Sequence, residues 1–207
     1  MSLFYPLAYA TGFTPWERAG EAERTRLNEL FAREETERAG PGKALDLGCG
    51  SGKYTAELAA RGWTVTGVDL IPRAVAQAQH RIEKLHLSAS VLRADVTRLQ
   101  PDQLGGGYDF FLDIGCYHGL NPRQRQQMAQ GVTSLAADDA TLLMLAFSRS
   151  ALPRPLPRGC DQSDLEDTFS GWVVTDIEPA STAGMPKPLR KAAPMWYRLK
   201  RAAAATN

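Results

Sequence analysis

The stretch of sequence that decides the fold reads Lys43-Ala44-Leu45-Asp46-Leu47-Gly48-Cys49-Gly50-Ser51-Gly52-Lys53-Tyr54-Thr55. An apolar run with a carboxylate at its end is followed by three glycines at alternate positions, and a helical pattern then begins at once. This order predicts a buried parallel strand, a tight turn and a helix N-terminus. Glycines at such a turn tolerate positive φ and let a ligand approach the backbone, and the helix N-terminus offers unpaired N–H groups.

The glycine spacing differs from the spacing of two common nucleotide sites. Gly48-x-Gly50-x-Gly52 is not G-x-G-x-x-G, because position 53 is Lys, and no Gly-Lys-Ser/Thr follows a four-residue gap as in a phosphate loop. Asp46 precedes the glycines, where its carboxylate would repel a pyrophosphate but would suit an ammonium or sulfonium group. An ordinary strand-to-helix turn is the alternative interpretation.

The run Leu45-Asp46-Leu47-Gly48-Cys49-Gly50-Ser51-Gly52 closely resembles the first motif of class I S-adenosylmethionine (SAM) methyltransferases. The resemblance implies SAM as cofactor, with S-adenosylhomocysteine (SAH) as its product. It also implies that Asp46 lies near the methionine ammonium, and that Gly48, Cys49 and Gly50 lie against the amino acid and sugar.

Strand and helix patterns alternate along the chain after a charged helix at 20–39. We predict strands at 43–48, 63–70, 89–94, 108–114, 141–147, 172–177 and 195–200, helices at 52–61, 72–86, 122–136 and 161–169, and a short helix or turn at 98–104. Alternation predicts an α/β fold with a doubly wound, seven-stranded, mostly parallel sheet. The last two strands have no helix between them, so we expect an antiparallel pair there. This is the Rossmann-like plan of class I methyltransferases.

Two further strands are predicted to end in an acidic residue. Asp69 ends the second strand, where a carboxylate can accept hydrogen bonds from both ribose hydroxyls, and Leu70 beside it would pack on adenine. A helix cap before Pro72 is the alternative role for Asp69. Asp95 ends the third strand, and the resemblance implies that it meets the adenine amino group with help from Val96. Ligands of open α/β sheets bind at the carboxyl ends of strands, where all these residues are predicted to lie.

The loop after the fourth strand carries the candidate chemistry. By the resemblance this loop lies beside the methionine part of SAM, and Asp113 is counted among the cofactor-binding residues. His118 is the candidate general base, since a neutral imidazole can take a thiol or phenol proton near pH 7; a structural histidine is the alternative. Tyr117 would either line the substrate pocket or pack in the core, and Cys116 is interpreted as a small core residue.

The segment Tyr9-Ala10-Thr11-Gly12-Phe13-Thr14-Pro15-Trp16-Glu17 resembles the Gly-x-Thr-Pro-Trp-Asp segment of thiopurine, thiol and halide methyltransferases and their tellurite-resistance relatives. The resemblance implies a lid in which Trp16 covers the cofactor and Phe13 contacts the substrate. An aromatic stripe that packs the first helix on the sheet is the alternative. We therefore expect a lid segment and helix at 1–42 and a SAM-binding unit at 43–207, in one compact domain.

Composition narrows the remaining classes. The formal net charge of +1 gives no reason to expect a nucleic acid or membrane-surface partner, and no apolar run approaches the ~20 residues of a membrane span. Three cysteines, widely spaced, argue against a disulfide framework or a metal cluster and favour a reducing cytoplasm. We expect a monomer or weak homodimer.

The expected activity is methyl transfer from SAM to a small molecule, with sulfur or oxygen as the accepting atom. A non-catalytic SAM-binding subunit is the alternative from another class. An NAD-dependent oxidoreductase is disfavoured by Asp46, by the glycine spacing and by the lack of a Tyr-x-x-x-Lys pair.

Overall fold

The fold alternates strands with helices. A computed structural model describes residues 24–149, 158–183, 185 and 190–202. The α-helices are α1 (Arg24–Glu37), α2 (Lys53–Ala60), α3 (Pro72–Lys84), α4 (Pro101–Leu104), α5 (Pro122–Leu135) and α6 (Gln162–Thr168). The strands are β1 (Lys43–Leu47), β2 (Thr64–Asp69), β3 (Ala89–Arg93), β4 (Tyr108–Ile114), β5 (Ala136–Phe147), β6 (Trp172–Pro179) and β7 (Pro194–Arg201). Short 3₁₀ helices cover Val96–Arg98 and Tyr117–Gly119.

The seven strands form one sheet in the order β3-β2-β1-β4-β5-β7-β6. The first five strands pair in parallel, whereas β7 pairs antiparallel with both β5 and β6. The strand order reverses between β1 and β4, so the loops that leave these two strands diverge. A crevice at the carboxyl ends of the strands follows from that divergence, and such a crevice is where open α/β sheets bind ligands.

Both faces of the sheet are covered. On one face α1 and α2 pack on β1, β4 and β7 through a cluster that includes Phe31, Leu58, Trp63, Phe110 and Trp196. On the other face α5 and α6 pack through a larger cluster. Since β1 and β4 are buried on both faces, their near-continuous apolar sequences are those expected of central parallel strands.

Helix α1 is fixed to the last two strands by ion pairs. Arg198 of β7 donates through Nε to Glu34 at 2.6 Å and through Nη2 to Glu37 at 2.6 Å. The side chains of Arg198 and Glu34 are only 5% and 2% exposed, so this pair is desolvated. Towards the edge of the sheet, Arg33 binds Asp176 of β6 at 3.1 Å. The helix therefore docks through charges on one part of its surface and through apolar side chains on another.

The predicted fold class is confirmed, including the antiparallel pairing of the last two strands. Two elements differ in extent. Strand β5 begins at Ala136, five residues before the predicted start, because Ala136 pairs with Tyr108 of β4. The exposed segment Asp138-Asp139 belongs to the strand although its residues are polar. The short helix or turn predicted at 98–104 consists of the end of a 3₁₀ helix and a separate four-residue helix that begins at Pro101.

Substitution of Arg198 by Ala should destabilise the protein by about 3–5 kcal/mol, because Glu34 would keep a buried charge without its main partner. The measurement is the free energy of unfolding in urea. Lys200→Ala is the matched control, because Lys200 lies on the same strand and is exposed; its effect should stay within about 0.5 kcal/mol. Equal effects of the two substitutions would show that the pair does not stabilise the docked helix.

Candidate functional site

The glycine loop after β1 turns sharply around the end of β2. The N–H groups of Gly48 and Cys49 both donate to the carbonyl of Val68 at 2.9 Å. Gly52 adopts φ of 72° at the N-terminus of α2, and a Cβ built there would lie 2.9 Å from the Cα of Ala78 in α3. A Cβ at Gly48 would lie 3.0 Å from the Cβ of Cys116. The loop therefore takes its shape from close contacts that only glycine permits.

Asp69 joins the glycine loop to the end of β2. Its Oδ2 accepts the N–H of Gly50 at 3.0 Å, and its Oδ1 accepts the N–H of Ile71 at 2.8 Å. The residue is 8% exposed, and burial raises the pKa of its carboxyl while the backbone N–H donors lower it. Asp69 does not cap α3 itself, since its bond goes to the N–H of Ile71, the residue that precedes the helix.

Asp46 is a buried carboxylate with a neutral partner. It is 3% exposed, and the hydroxyl of Thr55 donates to its Oδ2 at 2.6 Å. Its pKa is raised to about 7, chiefly by burial, with the Thr55 hydrogen bond acting against the rise and the nearby Asp69 adding to it. A cation that entered this crevice would therefore find a carboxylate whose charge is poorly compensated.

Asp95 and its neighbours lie at the end of β3. The N–H of Ala94 donates to the carbonyl of Asp69 at 3.0 Å, which ties the ends of β3 and β2 together. Oδ1 of Asp95 accepts from the N–H and the hydroxyl of Thr97, at 2.9 and 2.7 Å, and no hydrogen bond reaches its Oδ2 within the described part of the chain. Val96 is buried and Leu70 is half-buried.

Three predicted site residues have other surroundings than expected. Asp113 is fully buried and caps its own loop, because its two oxygens accept the N–H groups of Cys116 and Tyr117 at 2.9 Å each. Burial raises the pKa of Asp113 to about 7. Tyr117 is also fully buried, donates to Thr168 at 3.1 Å and packs against Phe169, so it belongs to the core and does not line a pocket. The bonds from the N–H groups of Cys116 and Tyr117 give Asp113 a structural role in its own loop, and its contact with a cofactor stays a prediction. The thiol of Cys49 points towards Gly67 of β2, so only the backbone of Cys49 is available to a ligand at the glycine loop.

His118 does not have the surroundings of a general base. It is 7% exposed, it stacks on Phe147, and its Nδ1 accepts the N–H of Phe147 at 3.1 Å. Burial and then the charge of Arg125 lower its pKa to about 3. These contacts favour the alternative of a structural, hydrogen-bonded histidine, and the role of His118 as a base stays a prediction. Phe13 and Trp16 lie outside the described residues, as does the whole predicted lid segment.

The chain is similar to several known proteins. Residues 44–139 match the family model described as "Methyltransferase domain". A 2-heptyl-1-hydroxyquinolin-4(1H)-one methyltransferase from Mycobacteroides abscessus is 28% identical over 143 residues, which are 67% of this chain and 62% of that protein. A probable S-adenosyl-L-methionine-dependent methyltransferase, TehB of Haemophilus influenzae, is 25% identical over 64% of this chain and 46% of its own length.

Residues 44–139 therefore resemble the methyltransferase domain of these proteins. A solved magnesium protoporphyrin IX methyltransferase from Synechocystis PCC 6803, with bound SAH, has the same fold with a TM-score of 0.72 and 18% identity, over 94% of this chain and 96% of that chain. Together these findings support the predicted resemblance to class I SAM-dependent methyltransferases, including the tellurite-resistance group. In the described residues, none of the helices has the length and apolarity needed to cross a membrane.

The residues of the crevice fit the cofactor of such a domain. The glycine loop presents its backbone beside the ends of β1 and β2, and Asp46 offers a buried negative charge to a cation. Asp69 and the free Oδ2 of Asp95 are acceptors, which suit hydroxyl and amino donors. Donors and acceptors at the ends of β1, β2 and β3 thus match a ligand that has an ammonium group, two hydroxyls and an amino group.

Sequence reasoning missed three residues that shape this site. Thr55 binds Asp46 from one helical turn after the glycine loop, and its position next to a motif carboxylate was an available signal. Phe147 acts through its backbone, which leaves no trace in the sequence. Arg125 is 7% exposed and donates to the carbonyls of Leu120, His118 and Gly159. Its position in a polar helix gave no hint of that burial.

Gly52→Ala should destabilise the protein by about 1–3 kcal/mol, because the new Cβ meets backbone atoms of α3 and φ lies in the left-handed region. Thermal unfolding measures the effect. Gly106→Ala is the matched control, since a Cβ there meets nothing within 4 Å. Unfolding temperatures that fall equally in both variants would contradict the close packing of α3 on this glycine.

The stability of the ligand-free protein should carry a pH dependence due to Asp46. Because the folded pKa is raised to about 7, the native state holds a proton that the unfolded state has lost between about pH 4 and 7. The free energy of unfolding of the wild type, relative to Asp46→Asn, should therefore fall as pH rises through that window, by up to about 1.4 kcal/mol per pH unit.

Urea unfolding at several pH values between 4 and 8 measures this difference. Asp138→Asn, at an exposed position of β5, is the control and should show no such difference from the wild type. If Asp46→Asn parallels the wild type at all pH values, the carboxyl of Asp46 titrates normally and its burial in solution is less than described.

Proposed function

We propose that this protein binds SAM and transfers its methyl group to a sulfur or oxygen atom of a small molecule. The observation that carries the proposal is the hydrogen bond from the Gly50 N–H to Asp69, at 3.0 Å. It unites the glycine loop with the acidic end of β2, so the two motifs form one site. The family match over residues 44–139 supports the same activity.

The cofactor would lie along the carboxyl ends of β1, β2 and β3. In this proposal Asp46 compensates the methionine ammonium, the backbone of Gly48, Cys49 and Gly50 borders the amino acid and sugar, and Asp69 binds the ribose hydroxyls. Leu70 packs on adenine. Asp95 accepts from the adenine amino group through its Oδ2, and Val96 supports the same edge of the ring. The lid of Phe13 and Trp16, and the division of the chain at residue 42, also stay proposals.

SAM, when bound, supplies a methyl group that is activated by a sulfonium charge. The chain's own residues then have to hold the reactants in line, exclude water and tolerate a positive charge. Asp46 and Asp113, both deeply buried near the end of β1 and β4, give this part of the protein a negative potential when they are ionised. The enzyme in this proposal works by position and electrostatics more than by proton transfer.

The acceptor is proposed to be a small molecule. The M. abscessus relative is named as the methyltransferase of a hydroxyquinolinone, which is a small molecule with a hydroxyl group. A net charge of +1 favours neither a nucleic acid nor an anionic membrane as partner. A monomer or weak homodimer in the reducing cytoplasm agrees with the three free cysteines.

Calorimetric titration with SAM, SAH and NAD tests the cofactor. Wild type should bind SAM and SAH but not NAD. Asp69→Asn should weaken SAH binding by about 10- to 100-fold, because a charge-assisted hydrogen bond to the ribose is lost. Asp102→Asn, at an exposed position of α4, is the control and should leave SAH affinity unchanged.

Release of SAH with a panel of thiols, halides and phenols tests the transfer. Turnover with a thiol or phenol supports the proposed acceptor, whereas halide turnover alone would contradict it. SAM binding without turnover on the whole panel would instead favour a non-catalytic SAM-binding subunit. No binding of SAM or SAH would overturn the proposed function.

A further inference from the structure

The imidazole of His118 lies where the loop after β4 meets the end of β5. A Cβ built on Gly115 would lie 3.4 Å from Cε1 and 3.6 Å from Nε2 of His118, so this edge of the ring covers the turn that follows β4. The next residue of this loop, Cys116, lies against Gly48 of the glycine loop. His118 is therefore separated from the proposed cofactor loop by only one loop of the chain.

The hydrogen bond to Phe147 decides which nitrogen of His118 carries the proton. A backbone N–H only donates, so Nδ1, which lies 3.1 Å from the N–H of Phe147, must present its lone pair. A neutral imidazole has one proton, which then resides on Nε2. The ring is kept neutral because it is buried and because the guanidinium of Arg125, which binds the His118 carbonyl at 3.3 Å, opposes a second positive charge.

Nε2, the second ring nitrogen of His118, keeps some accessible surface. Within the described residues, no hydrogen bond reaches this atom, and Nε of Arg38 is the only enclosed side-chain nitrogen or oxygen without a partner. Nε2 is therefore not sealed in the core, although the residue as a whole is 7% exposed. The ring is stacked on Phe147 with centroids 4.8 Å apart, which fixes the direction of its N–H.

We propose that His118 is a fixed hydrogen-bond donor that binds the acceptor molecule through Nε2–H. A fixed donor of this kind selects an acceptor whose reacting oxygen or sulfur carries a lone pair and negative charge, such as an aryl oxide or a thiolate. The inference rests on the proposed function, and it assigns to His118 the opposite role to that of a base.

The proton balance of the reaction changes with this assignment. The acceptor loses its proton to water before it binds, and His118 keeps its own proton throughout. The new bond joins the anionic oxygen or sulfur to the methyl carbon, and the electron pair of the broken carbon–sulfur bond returns to sulfur. Charge is conserved, since an anion and a sulfonium give two neutral products.

Nitrogen NMR of the histidine-labelled wild type tests the tautomer without any ligand. The His118 ring should show a protonated Nε2 and a bare Nδ1, with no change between pH 5 and 8. His80 and His86 lie at exposed positions and give reference signals, which His80→Gln and His86→Gln assign. A bare Nε2, or a ring that takes up a second proton in this range, would overturn the inference.

Binding of 4-nitrophenolate and 4-nitrothiophenolate at saturating SAH, followed by absorbance, tests the ligand class. His118→Gln and His118→Phe both leave the Phe147 N–H without its acceptor, but only Gln offers an amide N–H near the position of Nε2. His118→Phe should weaken binding of the anions by about 10- to 100-fold, and His118→Gln should recover most of that loss. Affinity for SAH is measured for each variant as the folding control.

The outcomes separate this inference from the proposed function. If the wild type binds SAH but neither anion, or if Gln and Phe weaken anion binding equally, the donor role is wrong while the cofactor assignment stands. If the wild type fails to bind SAH, the proposed function is wrong, whatever the tautomer of His118. Tight anion binding that Gln preserves, together with a protonated Nε2, supports the donor role.

Discussion

The site depends on one hydrogen bond between two strand ends, from the Gly50 N–H to the carboxylate of Asp69. The ends of β1 and β2 leave the sheet side by side, and each would present unpaired polar groups to the crevice. The carboxylate uses one oxygen for the glycine loop and the other for Ile71, the residue before α3. The turn into α2 and the turn into α3 are thereby held at a fixed distance, and β3 is tied to the same point through the carbonyl of Asp69.

Burial of carboxylates is the second constraint, and it comes with a cost in stability. Asp46 and Asp113 sit on neighbouring strands at the centre of the sheet, where ionisation is disfavoured by burial. The two differ in how their charge is compensated. Asp113 has two backbone donors and serves its own loop, whereas Asp46 has one hydroxyl and keeps capacity for a cation. Thus the same residue type has a structural role on one strand and a proposed binding role on the next.

Most of the fold could be predicted from the sequence because its strands are short, apolar and separated by glycine or proline. The antiparallel end of the sheet followed from the missing helix between the last two strands. The candidate cofactor-binding residues Asp46, Asp69 and Asp95 could also be selected from the sequence, since each ends an apolar run. The roles of residues in the loop after β4 could not be predicted, because their hydrogen-bond partners decide them. Asp113 accepts the N–H groups of residues 116 and 117, and Nδ1 of His118 accepts that of Phe147, and none of these bonds could be foreseen from the sequence.

The ion pair between Glu34 and Arg198 links residues 164 positions apart. On the ribosome, α1 emerges before the sheet, and its buried glutamate has no cationic partner on β7 until β7 itself has been made. The apolar side of the same helix can meet β1 and β4 much earlier. Helix α1 can therefore dock in two stages, and its ion pair with Arg198 forms only after β7 has joined the sheet. The buried charge of Glu34 thus gains its partner only when the last strand of the sheet is in place.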